Sequence, residues 1–453
     1  MSILVKGGKI VNEGRVFQGN IVVEDGKIKE VRSKNSASDC QPSSFDSTID
    51  ASGCYVLPGV IDSHVHFREP GLTQKADIDT ESQAAAAGGV TTFFDMPNTQ
   101  PQTTTPEALD EKFALAAKKS HVNYSFFYGA TNDNADTFGK IDASRIPGIK
   151  LFMGSSTGNM LVDKDAALER IFKTCKLPLM VHCEDTDIIN RNMEEAKHAW
   201  GDDPPVSLHA MIRSEEACLA STTKAIALAK KYGTRLHVAH VSTAEELELL
   251  DTSSSSPITA EACVGYLLFT QLDHDRLGAR IKVNPAIKTP VDQFMLRQAL
   301  TDGRITTVAT DHAPHLIEQK TGGCAHAASG MPMVQFSLVS MLELVDQGVL
   351  TLQRMVELMC HHPAKLFGVE RRGFLREGYQ ADLVVVRPQR PWTVSKDIIL
   401  SRCGWSPLEG HEFQWRVEQT LCNGHVVYSQ GHVDTNYIGQ SVVFNHSSQP
   451  SHL

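Results

Sequence analysis

The chain has 453 residues, 41% hydrophobic and 21% charged, a composition able to bury a large core and too long for one small domain. Its formal charge of -10, with no dense lysine or arginine run, excludes a basic nucleic-acid surface. No run approaches the ~18 apolar residues of a membrane span, and "MSILVKGGKIVNEG" lacks the apolar core of a signal peptide, so a cytoplasmic chain with no membrane partner is expected.

Residues 3–32 read as short strands, with Gly-Gly and Asp-Gly as turns between alternating apolar positions, and a polar loop, "SKNSASDCQPSSFD", follows. From "YVLPGVIDSHVHF" to about residue 318, strand-like runs alternate with helical stretches. The further runs are "VTTFFDMPN", "NYSFFYGAT", "GIKLFMG", "LPLMVHCED", "RLHVAHVS", "PITAEACV" and "ITTVATDHAP", eight in all. Between them "DTESQAAAAGG", "PEALDEKFALAAKKS", "DAALERIFKTC", "SEEACLASTTKAIALAKKYG", "TAEELELLD" and "PVDQFMLRQALTDG" read as helices. Eight apolar strands separated by helices predict a parallel sheet buried on both faces, and eight closes a TIM-like (β/α)8 barrel. A doubly wound open sheet shares this periodicity.

Two more helices, in "MVQFSLVSMLELVDQG" and "TLQRMVELMCHHPAKLFG", complete that region. Then "GFLREGYQADLVVVRPQ" and "QTLCNGHVVYSQGHV" return to hairpin texture. Neither terminal set of strands is large enough to stand alone, so they are expected to join in one small β-sandwich. The expected boundaries are 1–56 and 366–440 for the two parts of the sandwich, 57–365 for the barrel and 441–453 for a polar tail. Ten cysteines without CxxC pairs read as reduced structural thiols.

The chemistry gathers at strand ends. His64 and His66 in "DSHVHF" are two apart in a strand and so face one side, where both can hold one ion. His182 ends "LPLMVH", His240 ends "RLHVAH" and Asp311 follows "TTVAT", all at carboxyl ends, where barrel sites are built. Lys150, inside the apolar run of "GIKLFMG", is a costly buried ammonium that nearby metal ions would repel. Carboxylation of its amine gives an anionic, two-oxygen ligand able to bridge two cations; the alternative is a lysine that snorkels to the rim or pairs with an acid. Four nitrogens and two carboxylate-like groups suit zinc, with Mn²⁺ or Co²⁺ as substitutes, and imply metal-assisted hydrolysis of an amide-like bond. Asp311 would take the proton of the nucleophile.

Arg68 in "HFREPG" and Asn98 in "DMPNT" suit capture of a substrate carboxylate. His315, beyond the Ala-Pro turn of "TDHAPH", is expected to face the pocket, whereas His312 points away and His237 packs. Ser155, Ser156 and Thr157 in "GSSTGN" form either a lid over the substrate or a plain polar turn.

Taken together, "GVIDSHVHFREPG", "GGVTTFFDMPNTQP", "GIKLFMG", "VHCED", "VAHVS", "ATDHAPH" and "GYQADLVVV" resemble the amidohydrolase superfamily, and more narrowly the cyclic amidohydrolases: dihydroorotases, hydantoinases and allantoinases. The resemblance covers the chain from end to end. It implies two Zn²⁺ ions per subunit, bridged by N6-carboxylated Lys150 and hydroxide, with His64, His66, His182, His240 and Asp311 as the other ligands and Asp311 as general acid/base. The stretches "FREPG", "MPNT" and "TDHAPH" look most like the dihydroorotases, which interconvert N-carbamoyl-L-aspartate and L-dihydroorotate in pyrimidine biosynthesis. That likeness implies a substrate carboxylate on Arg68, Asn98 and His315, ring contacts from Asn284, and contact near Ser329. Relatives are commonly dimers or tetramers, which implies a homodimer or homotetramer. Two departures stand out: many bacterial relatives carry aspartate in place of Lys150, and Gly265-Tyr266 replaces a frequent His-His pair. Allantoinases share the ligand set, and metal-free scaffold relatives typically lose ligands that this chain keeps.

Overall fold

The computed structural model describes residues 1–33, 45–154, 160–253 and 256–447. Ser155, Ser156 and Thr157, the candidate lid, lie outside the described residues, as does Cys40. The other nine cysteines are buried and free of disulfides.

The chain opens with an antiparallel meander of β1 (Ser2–Asn12), β2 (Arg15–Glu24) and β3 (Lys27–Ser33). Glu13-Gly14 and Asp25-Gly26 turn it with positive φ at both positions of each pair, the backbone that matches strand twist in a two-residue hairpin. The expected Gly-Gly turn is not one. Gly7 and Gly8 lie inside β1, where the register against β2 shifts between Val5 and Gly8. A Cβ on Gly8 would stand 2.5 Å from Val56 Cγ2, so glycine there admits a bulge and close packing. Then β4 (Ser47–Asp50) and β5 (Tyr55–Pro58) pair with β1 in parallel.

Next come the buried strands: β6 (Val60–Val65), β7 (Val90–Asp95), β8 (Asn123–Phe126), β9 (Tyr128–Gly129), β10 (Ile149–Met153), β11 (Leu179–Cys183), β12 (Leu236–Val238), β13 (Ile258–Cys263) and β14 (Thr307–Ala309). Every residue in them is buried, which accounts for their unbroken apolar texture. All their ladders are parallel: β6–β7–β8 and β9 through β14. β8 and β9 are one run interrupted at Phe127, whose N–H still donates to Asp95 O at 3.1 Å. A parallel bridge between Val65 and His312 brings the segment after β14 back beside β6.

Four of the helices between strands begin where short polar side chains cap them, whereas Asp165–Thr174, after Lys164, has no side-chain cap. Asp77, Thr105, Ser214 and Thr289 each accept from a first-turn N–H of helices Ile78–Ala87, Pro106–Lys119, Glu215–Tyr232 and Pro290–Asp302. "TAEELELLD" yields only the single turn Ala244–Leu247. One long helix escapes the sequence reading, Thr186–Trp200, which buries Ile189 and Ala196 with Ile188 and Met193 packed beside them and is capped by Asp185; the short turns His209–Ile212, Val264–Leu268 and His274–Leu277 escape it too.

After residue 380 the chain returns to the first sheet through β15 (Leu383–Arg387); a separate pair, β16 (Trp392–Thr393) and β17 (Glu412–Phe413), precedes β18 (Arg416–Cys422), β19 (His425–Ser429) and β20 (His432–Val433). One nine-stranded sheet results, in the order β20-β19-β18-β15-β5-β1-β2-β3 with β4 on β1. Alternation on β15 explains its place: Leu383 and Val385 enter the small core of the sheet with Ile3, Ile21 and Ile28, while Val384 and Val386 face the large core of the parallel-strand region. The expected polar tail begins late. Val442 and Phe444 are buried against Phe94 and Phe127 in a cluster with Ile61, Met180 and Phe367, and Ser441 bridges to Tyr124.

Candidate metal centre and active site

The ligand candidates converge from the same ends of the parallel strands. His64 is in β6 and His66 one residue past it, His182 is the penultimate residue of β11, and His240 and Asp311 follow β12 and β14 by two residues. Lys150 departs from the expected strand end. It is the second residue of β10, paired with Met180, two positions deeper than the Phe152–His182 pair, so only a long side chain rising from there can reach the histidines' level. Arg68, His240 and Asp311 sit at φ 66°, 38° and 49°, a left-handed backbone that costs about 1–3 kcal/mol for such residues and clusters at functional sites.

These turns bring the groups together. Asp311 Oδ1 lies 3.0 Å from His66 Nε2 and 3.5 Å from His64 Nε2. His182 Nδ1 is 2.9 Å from His240 Nε2, and the rings of His64 and His240 are 5.3 Å apart. Burial lowers the pKa of His182 and holds His240 well below its ordinary value, and it pushes His66 down to about 4, so all three rings are neutral and keep a lone pair for a metal. Burial raises the Asp311 carboxyl and the adjoining His64 and His66 lower it, with the net direction below its ordinary value. Lys150 is wholly buried, its Nζ 5.2 Å from the Phe152 ring, with no hydrogen-bond partner among the described residues. Burial pushes it down to about 8. Neutral nitrogens, one anionic carboxylate and an orphaned amine form a donor set that fits divalent cations once the amine becomes anionic.

A cavity of about 30 Å³ lies on this cluster, lined by His64, His66, His182, His240 and Asp311 together with Arg68, Asn98, Asn284 and Ser329. Its described lining does not include Lys150 or His315. His315 reaches it through Arg68, whose Nη2 is 3.1 Å from His315 Nε2 while its Nε donates to Pro314 O at 3.1 Å. Asn284 Oδ1 is held 3.2 Å from His209 Nε2. His312 turns away, onto Glu81 at 2.9 Å and the Met333 N–H at 3.0 Å, and His237 packs with Thr259 and the Phe367 ring.

Residues 55–427 match the family model described as the amidohydrolase family. The chain belongs to the amidohydrolase family. It is 36% identical over 399 residues to a dihydroorotase of Halobacterium salinarum, covering 86% of this chain and 91% of that one. It is 32% identical over 438 residues to an allantoinase of Bacillus velezensis, covering 95% and 94%. Among solved structures, the L-hydantoinase of Arthrobacter aurescens superposes with a TM-score of 0.91 at 31% identity, covering 97% of this chain and 99% of that one. This amidohydrolase is therefore an enzyme of the cyclic amide-hydrolysing kind, with an α/β fold of parallel strands.

Two roles in this amidohydrolase escape sequence reasoning. Glu261, in β13, accepts from His64 Nδ1 at 2.7 Å, which places the proton there and the lone pair on Nε2, toward Asp311. Its signal is the one that marks Lys150: an ionisable group inside an apolar strand, "PITAEACV". Asn98, expected only to touch substrate, also accepts from His66 Nδ1 at 2.7 Å and so orients a second candidate ligand. A residue type shows what it can bond, not which of two neighbours it meets.

Proposed function

We propose that this amidohydrolase is a dihydroorotase, interconverting N-carbamoyl-L-aspartate and L-dihydroorotate in pyrimidine biosynthesis. The observation that carries this reading is the guanidinium of Arg68, buried beside His315 and Asn98 on one wall of the cavity that bears the ligand cluster. Such a wall recognises a carboxylate. Dihydroorotate carries one on its ring; allantoin and hydantoin do not.

The same reading takes the circuit of parallel strands as an eight-stranded (β/α)8 barrel and the nine-stranded sheet as a sandwich-like accessory domain of residues 1–56 and 366–440. His64, His66, His182, His240, Asp311 and a carboxylated Lys150 would hold two zinc ions, which when bound supply a nucleophile at neutral pH and polarise the amide carbonyl. Lys150 becomes a carbamate when its neutral amine adds carbon dioxide and loses one proton, and the partial neutralisation that burial brings favours that addition. In hydrolysis Arg68, Asn98 and His315 hold the substrate carboxylate and Asn284 and Ser329 orient the ring. Asp311 takes the proton of the attacking oxygen and returns it to the nitrogen that leaves as the ring C–N bond breaks. Ring closure runs in reverse, with Asp311 first removing the ureido proton. Nine buried free thiols support a reducing compartment and hence the cytoplasm.

A second reading, allantoin hydrolysis, is favoured by the likeness to the Bacillus velezensis allantoinase. The deciding experiment is turnover of dihydroorotate, carbamoyl aspartate, allantoin and hydantoin by the purified, zinc-loaded enzyme. Selective turnover of the first two supports the proposal; allantoin turnover with none of dihydroorotate sinks it.

A further inference from the structure

His315 stands between two cations. Lys75 Nζ lies 3.2 Å from its Nδ1 and Arg68 Nη2 lies 3.1 Å from its Nε2. A neutral imidazole offers one accepting and one donating nitrogen, so it cannot accept from both. The ring is kept neutral: burial, then Arg68, Lys75 and Lys320, hold its pKa far below the ordinary value. Neither an ammonium nor a guanidinium has a lone pair, so one of the two contacts sets donor against donor. Arg68 lines the cavity on the ligand cluster and Lys75 does not, so the side of the ring that a substrate acceptor can reach is Nε2, where a ring proton would oppose Arg68. Arg68 cannot swing away to relieve this donor-to-donor approach, because its Nε is tied to Pro314 O. An acceptor with two oxygens, set against both donors, removes the conflict. Lys75, Arg68 and Asn98 all line an outer vestibule of about 750 Å³, through which such a ligand would arrive.

We propose that Lys75 is a positioning residue for the carboxylate-bearing substrate: by donating to His315 Nδ1 it fixes the proton on Nε2, so that His315 and Arg68 present paired donors to the carboxylate. The proposal rests on the dihydroorotase reading, yet Lys75 itself need not touch the substrate.

The test uses the full-length, zinc-loaded enzyme and its Lys75→Met and Lys75→Arg variants. Lys75→Met is expected to raise KM for dihydroorotate about tenfold, with kcat within about twofold, and Lys75→Arg to recover most of the loss. In protein labelled with 15N-histidine, long-range 1H–15N correlation should show His315, assigned by its absence from His315→Gln, protonated on Nε2 in the wild type and mixed in Lys75→Met. An unchanged KM in Lys75→Met, or a wild-type His315 protonated on Nδ1, overturns the proposal. If the wild type does not turn over dihydroorotate, the substrate reading fails instead, and the tautomer spectrum still decides the role of Lys75.

Discussion

The two strand systems bury different things. The nine-stranded sheet encloses Ile3, Val5, Ile21, Val23, Ile28, Ile49 and Leu383, an apolar cluster beside which the buried charges of Arg372 and Asp382 are paired with each other. The parallel strands enclose Lys150, His64, His182 and Glu261, each wholly or almost wholly buried. Burying an ionisable group costs stability unless it is paired, whereas burying isoleucine contributes it. The difference teaches that the parallel region gives up part of its stability to hold chemistry, while the sheet, sharing β15 with both cores, adds stability from the side.

The largest effect that could break this contrast is at Lys150. Replacing it with alanine removes a buried ammonium, which in a merely structural protein would be neutral or stabilising. We expect bound zinc to fall and activity to drop by about 10³-fold or more, with Tm of the zinc-loaded protein lowered because metal that binds only the folded chain stabilises it, and with partial rescue by short carboxylic acids that stand in for the carbamate. Metal analysis, turnover and calorimetry on one preparation check it, and wild-type turnover in Lys150→Ala would end the bridging role.

The converse belongs to the sheet. Ile21, fully buried in the apolar core, should cost about 2–5 kcal/mol when cut to alanine, lowering Tm while kcat/KM at 25 °C stays within about twofold. Chemical denaturation with a parallel assay measures it, and a loss of turnover matching the loss of stability would mean that the two systems are not separable.

Much of this division is readable in the sequence. Continuous apolar runs mark strands buried on both faces, alternation marks the sheet, and ionisable residues inside apolar runs mark Lys150 and, had it been weighed, Glu261. Pattern fails where local and tertiary causes compete. Gly7-Gly8 looks like a turn, because only the neighbouring Val56 shows that the glycines are needed for close packing within one strand. Thr186–Trp200 carries only a narrow apolar stripe, Ile188, Ile189, Met193 and Ala196, amid charged and polar residues, which the sequence reading passes over. Val442 and Phe444 are too few to signal burial; Phe94 and Phe127, against which they pack, lie more than 300 residues earlier in the chain.

The smallest effect concerns the seam between the two systems. His361, just before the helix His362–Phe367, stacks on Phe374 at 4.4 Å, donates from Nδ1 to Gly373 O at 2.7 Å and accepts the Glu13 N–H of the β1–β2 turn on Nε2 at 3.0 Å. Burial pushes it down to about 4, against the Gly373 carbonyl and Glu13, which raise it. A proton on Nε2 would face the Glu13 N–H and break that contact. Between about pH 6.5 and 4 the unfolded chain thus binds this proton and the folded chain does not, so stability is complete above 6.5 and declines as pH falls through that window. The full drop is at most about 3 kcal/mol, from 1.36 kcal/mol for each pH unit. Thermal melts at pH 7 and pH 4.5 should show a smaller acid loss in His361→Gln than in the wild type, since glutamine can make both bonds without titrating. His362, also pushed down to about 4 by burial and bonded to Thr306 O, remains in that variant, so part of the acid loss persists. An identical acid loss in the two proteins would move the acid-sensitive contact off the seam and into the parallel-strand region.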